Sequence, residues 1–275
     1  MSETIQKSKV SGIKVTLAVV PALLIVSICV ALYLGANADK EEKAPYEGEV
    51  TIAEMAGYLE KTNEVIGERR IDTAEGQKAF RQIRAMTMGA LGEQNLGYET
   101  YQTQIDSVNG LLWPVIWIQA GDREAREVVV MAVPQAESGT GPAFAYGFAE
   151  YLTTHPLPAA VRIVFYPPLV EGDFGDWLWK RCGDDGEKLL AFFKVTGGDP
   201  EERKTFFSGP ADSGILEGLQ ESKLWGEGFG VRNASSFEVR LIERGGVSQE
   251  EHARRLILAM PVVKELVDRL GMAAD

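Results

Sequence analysis

Three carboxylates, Glu171, Asp173 and Asp176, follow an apolar run at residues 161–166 that has the pattern of a buried strand. Loops at the carboxyl ends of parallel strands are where α/β proteins build their sites. Two carboxylates held close together can serve as general acid and general base in a hydrolytic reaction. These three residues are therefore the candidates for a catalytic site.

The chain carries few groups that could hold a metal ion or act as a nucleophile. A site for two zinc ions needs several His and carboxylate side chains converging on one cluster of loops, and the sequence contains only His155 and His252. Cys182 has cationic neighbours, which lower the pKa of a thiol, but without a positioned His we expect an inert thiol. The sequence predicts no metal site and no cofactor.

Composition excludes one class of partner and limits the architecture. The formal net charge of −12 argues against a nucleic-acid partner, because binding phosphates requires concentrated Lys and Arg. With 275 residues, of which 45% are hydrophobic, the chain is long enough for one large α/β domain or two small ones. One of its two cysteines, Cys29, falls in an N-terminal apolar segment, so we expect no disulfide.

Residues 15–36 contain no charged side chain and match the thickness of a bilayer, so we predict a transmembrane helix there. The tail at 1–14 carries three lysines against one glutamate, and the positive-inside rule places it in the cytoplasm. A linker at 37–49 would then lead to an extracytoplasmic domain at 50–275, in the periplasm or outside the cell. A cleaved signal peptide is the alternative, since residues 34–38 offer small side chains to a peptidase.

Within the domain, the hydrophobic period changes from helical to alternating near residue 97. Helical spacing covers 52–66 and 72–91, and the second segment opens with a capping-box pattern. Asn109-Gly110 between two alternating segments predicts an antiparallel hairpin, in which Pro114 favours an edge or a bulge. Strands are predicted at 128–133, 161–166, 189–195 and 237–242, helices at 142–153, near 177 and at 248–270, and irregular structure at 197–214.

Strands that alternate with helices indicate an α/β domain. We therefore predict a mostly parallel central sheet with an antiparallel hairpin at one side and helices on both faces. One transmembrane helix would precede this domain.

Several strings in this order resemble the co-catalytic dizinc aminopeptidases, a family that also includes non-enzymatic relatives such as the transferrin receptor, nicastrin and a GPI-transamidase subunit. The strings that carry the resemblance lie at 68–76, 128–132, 141–147, 161–166 and 172–175. The resemblance covers about residues 52–270 and implies a zinc exopeptidase fold.

The resemblance also implies where metal ligands would lie. The family's first His and its accompanying Asp fall at Val133 and Gln135, and its bridging Asp falls at Ala143. Its Glu pair, which supplies the general base and a ligand, falls at Leu169 and Val170.

A further Asp among the family's metal-binding residues, which comes later in the sequence, falls close to Lys194. A slip of one residue would bring Glu171 near the position of the Glu pair. The resemblance therefore implies a degenerate member that lacks the metal ligands, and we expect an inactive, aminopeptidase-like pseudoenzyme.

Aromatic residues supply candidate contact points. Phe174, Trp177, Trp179 and Trp225 lie around loops that surround the active cleft in the family, and those that remain exposed would anchor an interface. We predict a membrane-anchored, extracytoplasmic, non-catalytic domain that binds a protein or peptide, as a scaffold or subunit of a membrane complex. The alternative is a hydrolase with a relocated, non-zinc or atypical active site.

Overall fold

The computed structural model describes residues 49–106, 110–122, 124–136, 138–168, 174–184 and 186–273. All of them belong to the unit Pro45–Asp275. Within these ranges, no helix combines the length and the apolarity needed to cross a bilayer. The predicted tail at 1–14, transmembrane helix at 15–36 and nearly all of the linker lie outside the described residues.

Eight strands form one mixed sheet in the order β1-β2-β4-β3-β5-β8-β6-β7. The strands are β1 (Tyr101–Asp106), β2 (Leu112–Ala120), β3 (Glu127–Pro134), β4 (Ala160–Tyr166), β5 (Lys188–Gly197), β6 (Thr205–Gly209), β7 (Phe229–Asn233) and β8 (Phe237–Leu241). The four central strands, β4, β3, β5 and β8, are parallel. Antiparallel pairs flank them on both sides, with β1 on β2 and β2 on β4 at one side and β6 on β8 at the other.

The predicted antiparallel pair is confirmed, since β1 and β2 pair at the edge of the sheet. Pro114 lies opposite Gln104 of β1, and the pairing of β2 with β4 begins only at Ile116. Proline donates no backbone hydrogen bond, so it fits the section of β2 that has a partner on one side alone. Its predicted edge position is therefore correct for this part of the strand.

Six α-helices accompany the sheet in the described chain. They are α1 (Ile52–Leu59), α2 (Ala74–Leu91), α3 (Thr140–Thr154), α4 (Phe174–Asp184), α5 (Ile215–Gln220) and α6 (Gln249–Met272). The first predicted helix consists of two parts, the α-helix α1 and a π-helix at Glu60–Val65 that follows it directly. The N-cap of α2 is Thr73, whose hydroxyl accepts from Gly76 N, and not Asp72 as the capping-box pattern predicted.

Both faces of β3 are buried. Val129, Met131 and Val133 belong to the cluster that also contains α3 and α6, whereas Val128 and Val130 pack in a second cluster with α4. Burial on both faces is what a central parallel strand requires. The prediction of helices on both faces is therefore confirmed.

Irregular structure was expected at 197–214, and this was wrong for β6 and for a 3₁₀ turn. Helix α5 and strand β7 lie beyond that range and were not predicted. Strands β6 and β7, a 3₁₀ turn at Ala211–Ser213 and helix α5 lie between β5 and β8. Both of these strands have only five residues, and glycines lie inside or at their ends. Short strands with glycine carry little periodic signal, so the sequence pattern resembles a loop.

Candidate functional site

The carboxyl ends of the parallel strands meet the first turn of α3, and this is where a site would be expected in the fold. Val133 lies at the end of β3 and Ala143 lies in α3, and both are fully buried. A Cβ atom built on Gly141 would lie 3.2 Å from the carbonyl oxygen of Val195 and 3.7 Å from Val133 Cγ1. The first turn of α3 is thus packed directly onto the ends of β3 and β5.

Lys194 does not join Val133 and Ala143. It is aligned with Ala132 of β3 and Glu238 of β8, and such neighbours share one face of a parallel sheet. Ala132 packs in the cluster that contains α4, whereas Val133 packs in the cluster that contains α3. The half-buried Lys194 therefore lies on the opposite face of the sheet from Val133.

Four more candidate residues follow β4. Leu169, Val170, Glu171 and Asp173 lie outside the described residues. Asp176 is exposed in the first turn of α4. Of the proposed acid and base residues, Asp176 is thus the one whose place is described, and it faces solvent.

A buried polar network lies where the resemblance placed Gln135, and it consists of Arg69, Thr87, Gln135 and Tyr146. Gln135 Nε2 donates to Thr87 Oγ1 over 3.1 Å, and the hydroxyls of Thr87 and Tyr146 are 2.7 Å apart. Arg69 Nε donates to the backbone carbonyl of Gln135 over 2.5 Å. All four residues are buried, so the network connects the end of β3 to α2 and α3 inside the domain.

The proton positions in this network follow from its partners. Thr87 Oγ1 donates to the carbonyl oxygen of Ile83 over 2.8 Å, which uses its one hydroxyl proton. The Tyr146 hydroxyl must then donate to Thr87. Burial raises the pKa of Tyr146 well above its ordinary value, although the bond to Thr87 and the nearby Arg69 charge oppose this. Tyr146 is therefore a neutral donor.

Arg69 brings a guanidinium group into the same interior. Its Nη1 donates to the carbonyl oxygens of Thr62 and Gly67, each at 2.7 Å, in addition to the bond from Nε to Gln135. Burial lowers the pKa of Arg69, and the proximity of Tyr146 opposes that shift. The side chain fastens the segment before α2 to the end of β3. The guanidinium group has several donors in a fixed planar arrangement, so one arginine can hold two segments in a defined relative position.

A second polar cluster joins the loops after β3 and β8. Glu243 accepts a short hydrogen bond from the Ser138 hydroxyl and a 2.8 Å hydrogen bond from Thr140 Oγ1. Asn63 Oδ1 accepts from Gly139 N over 2.9 Å on the other side of the loop. We call Ser138, Thr140 and Glu243 the Glu243 cluster. Its effect is to hold the start of α3 against the loop that precedes α6.

The Glu243 cluster pairs a hydroxyl with a carboxylate, which is one element of nucleophilic catalysis. Each carboxylate oxygen of Glu243 already accepts from a hydroxyl, and Ser138 Oγ also accepts from Thr140 N over 3.0 Å. These bonds lie within one turn and its neighbouring loop. The cluster therefore holds the loop in place, and both carboxylate oxygens of Glu243 are already used as hydrogen-bond acceptors.

The two histidines have structural partners. His252 is buried, its Nε2 lies 2.9 Å from the carbonyl oxygen of Ile242, and burial lowers its pKa. The ring of His155 stacks on Tyr151 at a centroid distance of 4.0 Å. No group of three or more His, Cys, Asp or Glu side chains in the described ranges is arranged to hold a metal ion.

The aromatic candidates divide by exposure. Phe174 is 3% exposed, and its ring stacks on Tyr166 at 4.0 Å, so it belongs to the interior. Trp177 and Trp225 are half-buried, whereas the side chain of Trp179 lies outside the described residues. The ring of Trp225 is tilted against those of two phenylalanines near β6 and β7. Trp177 and Trp225 therefore keep part of their surface exposed.

The sequence did not reveal the buried polar network or the Glu243 cluster. Arg69 and Gln135 are separated by 66 residues, Thr87 and Tyr146 by 59, and Ser138 and Glu243 by 105. Each residue type is common in helices, turns and loops. Only the fold brings them together, so no local spacing could have marked them.

Neither a family model nor a curated protein matches this sequence. Solved structures are nevertheless similar in fold. LapB from Legionella pneumophila has a TM-score of 0.58 at 10% identity, covering 82% of this chain and 73% of that one. A leucine aminopeptidase precursor from Bacteroides thetaiotaomicron has a TM-score of 0.55 at 10% identity, covering 82% and 99%.

A glutaminyl cyclase from an Acidobacteriales bacterium has a TM-score of 0.53 at 14% identity, covering 85% of this chain and 97% of that one. The described domain thus has the fold shared by zinc-dependent exopeptidases and glutaminyl cyclases. It is a peptidase-like domain in architecture. Identities this low establish the fold alone.

Proposed function

We propose that this domain binds a protein or peptide without hydrolysing it, as a scaffold or subunit of a membrane complex. The observation that carries the proposal is the packing at Val133, Gln135 and Ala143. All three are fully buried, and the amide of Gln135 is used in the buried polar network. Proteins hold zinc with His, Cys, Asp or Glu side chains, and these three positions carry Val, Gln and Ala, which pack in the interior instead.

The same proposal includes the membrane. Residues 15–36 would anchor the chain in the bilayer, with residues 1–14 in the cytoplasm and the domain on the other side. The support is the uncharged run and the lysines that precede it. Half-buried Trp177 and Trp225 would then supply contact points for a protein partner, because aromatic side chains anchor interfaces.

Metal analysis and an activity assay test the proposal together. The purified chain is incubated with excess zinc, desalted and analysed for bound metal, and aminopeptidase activity is measured on a panel of aminoacyl anilides. We expect well under one zinc per chain and no turnover. An active zinc-dependent exopeptidase prepared in parallel shows that the procedure retains metal. About two zinc ions per chain together with turnover would overturn the proposal.

A partner is sought by capture from membranes in mild detergent. The wild-type chain is compared with Trp225→Ala and Trp177→Ala, and with Trp117→Ala as a control, because Trp117 is half-buried but stacks on Tyr101 in the edge strands. We expect a specific partner whose recovery falls at least about tenfold in one of the first two variants. Equal recovery with all three variants would contradict the assigned contact points.

A hydrolase with a relocated site is the second candidate, and exposed Asp176 is the observation that favours it. This carboxylate follows the β4 end of the sheet, together with Glu171 and Asp173 in the sequence. The amide variants Glu171→Gln, Asp173→Asn and Asp176→Asn distinguish the two candidates. Hydrolysis of any substrate that is abolished in one of these variants would favour the second candidate, and stable variants with unchanged behaviour would exclude it.

A further inference from the structure

A cleft of about 370 Å³ lies between α2 and the antiparallel pair β1/β2. It is lined by Arg81, Arg84, Gln102, Thr103, Gln104, Leu112, Trp113 and Pro114. Residues three apart on a helix are neighbours on its surface, so Arg81 and Arg84 present two positive charges side by side. None of the described residues that line the cleft is acidic.

These two arginines differ from several others in the described chain, which form ion pairs with carboxylates. Arg162 and Arg269, for example, lie 2.6 and 2.7 Å from carboxylate oxygens. Within the described ranges, Arg84 forms one hydrogen bond, from Nη2 to Gln102 Oε1 over 2.8 Å, and Arg81 forms none. Arg84 Nε is buried without a hydrogen-bond partner there. The chain has a net charge of −12, so carboxylates are abundant, yet none of the described ones pairs with Arg81 or Arg84. Both guanidinium groups can therefore bind an anion.

The rest of the lining favours an organic ligand over a bare ion. Leu112, Trp113 and Pro114 give the cleft an apolar wall, and Leu112 is 60% exposed. Gln102 and Gln104 are exposed on the outermost strand and add amide donors and acceptors. A volume near 370 Å³ falls at the lower end of the range for small-molecule sites. An inorganic anion would occupy only a small part of it.

We propose that this cleft binds a carboxylate carried on an apolar group, such as the C-terminal residue of a peptide. The planar guanidinium fork of Arg84 matches the two oxygens of a carboxylate, and Arg81 adds a second charge. The apolar wall would contact the side chain next to the carboxylate. Val133, Gln135 and Ala143 do not line the cleft, so this proposal holds whether or not the domain hydrolyses peptides.

The test uses N-acetyl-leucine and N-acetyl-leucinamide, which share the apolar group and differ in the carboxylate. Calorimetric titration of the full chain should give N-acetyl-leucine a Kd on the order of 1 mM, as its size allows. The amide should bind at least about tenfold more weakly, because charge-assisted hydrogen bonds are lost. Affinity for the acid should fall as salt is raised, since the site is open to solvent.

Four variants locate the binding site. Arg84→Gln should weaken binding of N-acetyl-leucine at least about tenfold, and Arg84→Lys should recover only part of it, because Lys keeps the charge without the fork. Arg126→Gln removes one charge from an exposed arginine elsewhere and should leave the affinity unchanged. Circular dichroism confirms that each variant is folded. Wild-type affinity in both Arg84→Gln and Arg81→Gln would overturn the proposal.

Two further outcomes would also overturn it. The first is equal binding of the acid and the amide, since the carboxylate would then contribute nothing. The second is displacement by inorganic phosphate or acetate as effective as displacement by N-acetyl-leucine, which would reduce the cleft to a general anion site. The zinc and turnover measurements are unaffected by any of these results, so the failure of one proposal is distinguishable from the failure of the other.

Discussion

Thr87 occupies the centre of the buried polar network, where one hydroxyl oxygen accepts from two buried donors. Replacement by Val keeps the shape of the side chain but leaves the Tyr146 hydroxyl and the Gln135 amide without this acceptor. We expect Thr87→Val to lower the free energy of unfolding by roughly 2–4 kcal/mol. Tyr146→Phe removes only one donor and should cost about 1 kcal/mol. Urea unfolding monitored by circular dichroism measures both values.

Thr153→Val is the matched control for this comparison. The Thr153 hydroxyl donates to the Glu150 carbonyl of its own helix and is only partly buried. Its replacement should change the free energy of unfolding by less than about 1 kcal/mol. If Thr87→Val cost no more than Tyr146→Phe, the proton assignment in the network would be wrong.

His252 provides a pH-dependent contribution to stability. Burial lowers its pKa below the ordinary 6.5, while the hydrogen bond to Ile242 and the charge of Glu243 act in the opposite direction and the charges of Arg244 and Arg255 lower it further. Below about pH 6.5 the unfolded chain therefore binds a proton that the folded chain binds less readily. The free energy of unfolding should fall as the pH is lowered through this range.

His252→Gln removes that titration while keeping a side-chain donor for the Ile242 carbonyl. Unfolding in urea at several pH values from about 8 to about 5 gives the slope for each protein. We expect a shallower loss of stability in the variant below about pH 6.5 and parallel curves above it. Identical slopes across the whole range would show that His252 does not contribute.

At the scale of elements, Gly197 sets how closely β5 approaches the Glu243 cluster. A Cβ atom there would overlap the Glu243 carboxylate and lie 2.6 Å from Ser138 Cβ. Gly197→Ala should therefore destabilise the domain by about 1–3 kcal/mol, as overpacking does. It should also separate the loops after β3 and β8. Hydrogen exchange at the backbone amides of Thr140 and Ala143 would then be faster than in the wild-type chain.

Gly89→Ala is the matched control, with the opposite expected sign. Gly89 lies inside α2, where an added methyl group would have no other atom within 4 Å, and a glycine in a helix interior costs conformational entropy on folding. The Ala variant should be more stable by about 0.5–1 kcal/mol. Thermal and urea unfolding of Gly89→Ala and Gly197→Ala measure the change in the free energy of unfolding relative to the wild-type chain. A neutral or stabilising Gly197→Ala would show that the strand end can move without cost.

The elements that could be predicted are those whose burial is continuous or strictly periodic. β3 and β4 are apolar along their length, and α6 has a capping serine followed by a long amphipathic pattern. β6 and β7 could not be predicted, because each has five residues and depends on pairing with a distant strand. Their stability comes from tertiary contact, which single-sequence periodicity does not report.

The candidate site was harder to predict than the fold. Burial of Val133 and Ala143 followed from their apolar surroundings, because both lie in continuous hydrophobic segments. The face of the sheet on which Lys194 lies could not be predicted in this way, because a shift of one residue in register moves a side chain to the other face. Gln135, which accepts from Arg69, and the hydroxyl partners of Glu243 lie in distant segments, so these interactions depend on the completed fold.

At the scale of the whole molecule, the proposed anchor at 15–36 determines where the domain works. With the anchor retained, the full-length chain should stay in the membrane fraction through an alkaline carbonate wash, and a chain beginning at Glu49 should be soluble. A reporter enzyme that is active only outside the cytoplasm, fused after Asp275, should be active. Intact mass of the purified chain shows whether residues 1–38 remain.

Leu23→Lys with Val26→Lys is the matched variant, because each charge near the middle of a membrane helix costs about 2.5–3.5 kcal/mol on insertion scales. This double variant should lose both membrane retention and reporter activity, since the segment no longer enters the bilayer. A mature chain that starts near residue 39, is washed from the membrane and keeps reporter activity would instead identify a cleaved signal peptide. The domain would then act as a secreted binding protein, and the partner would have to be sought among soluble extracytoplasmic proteins.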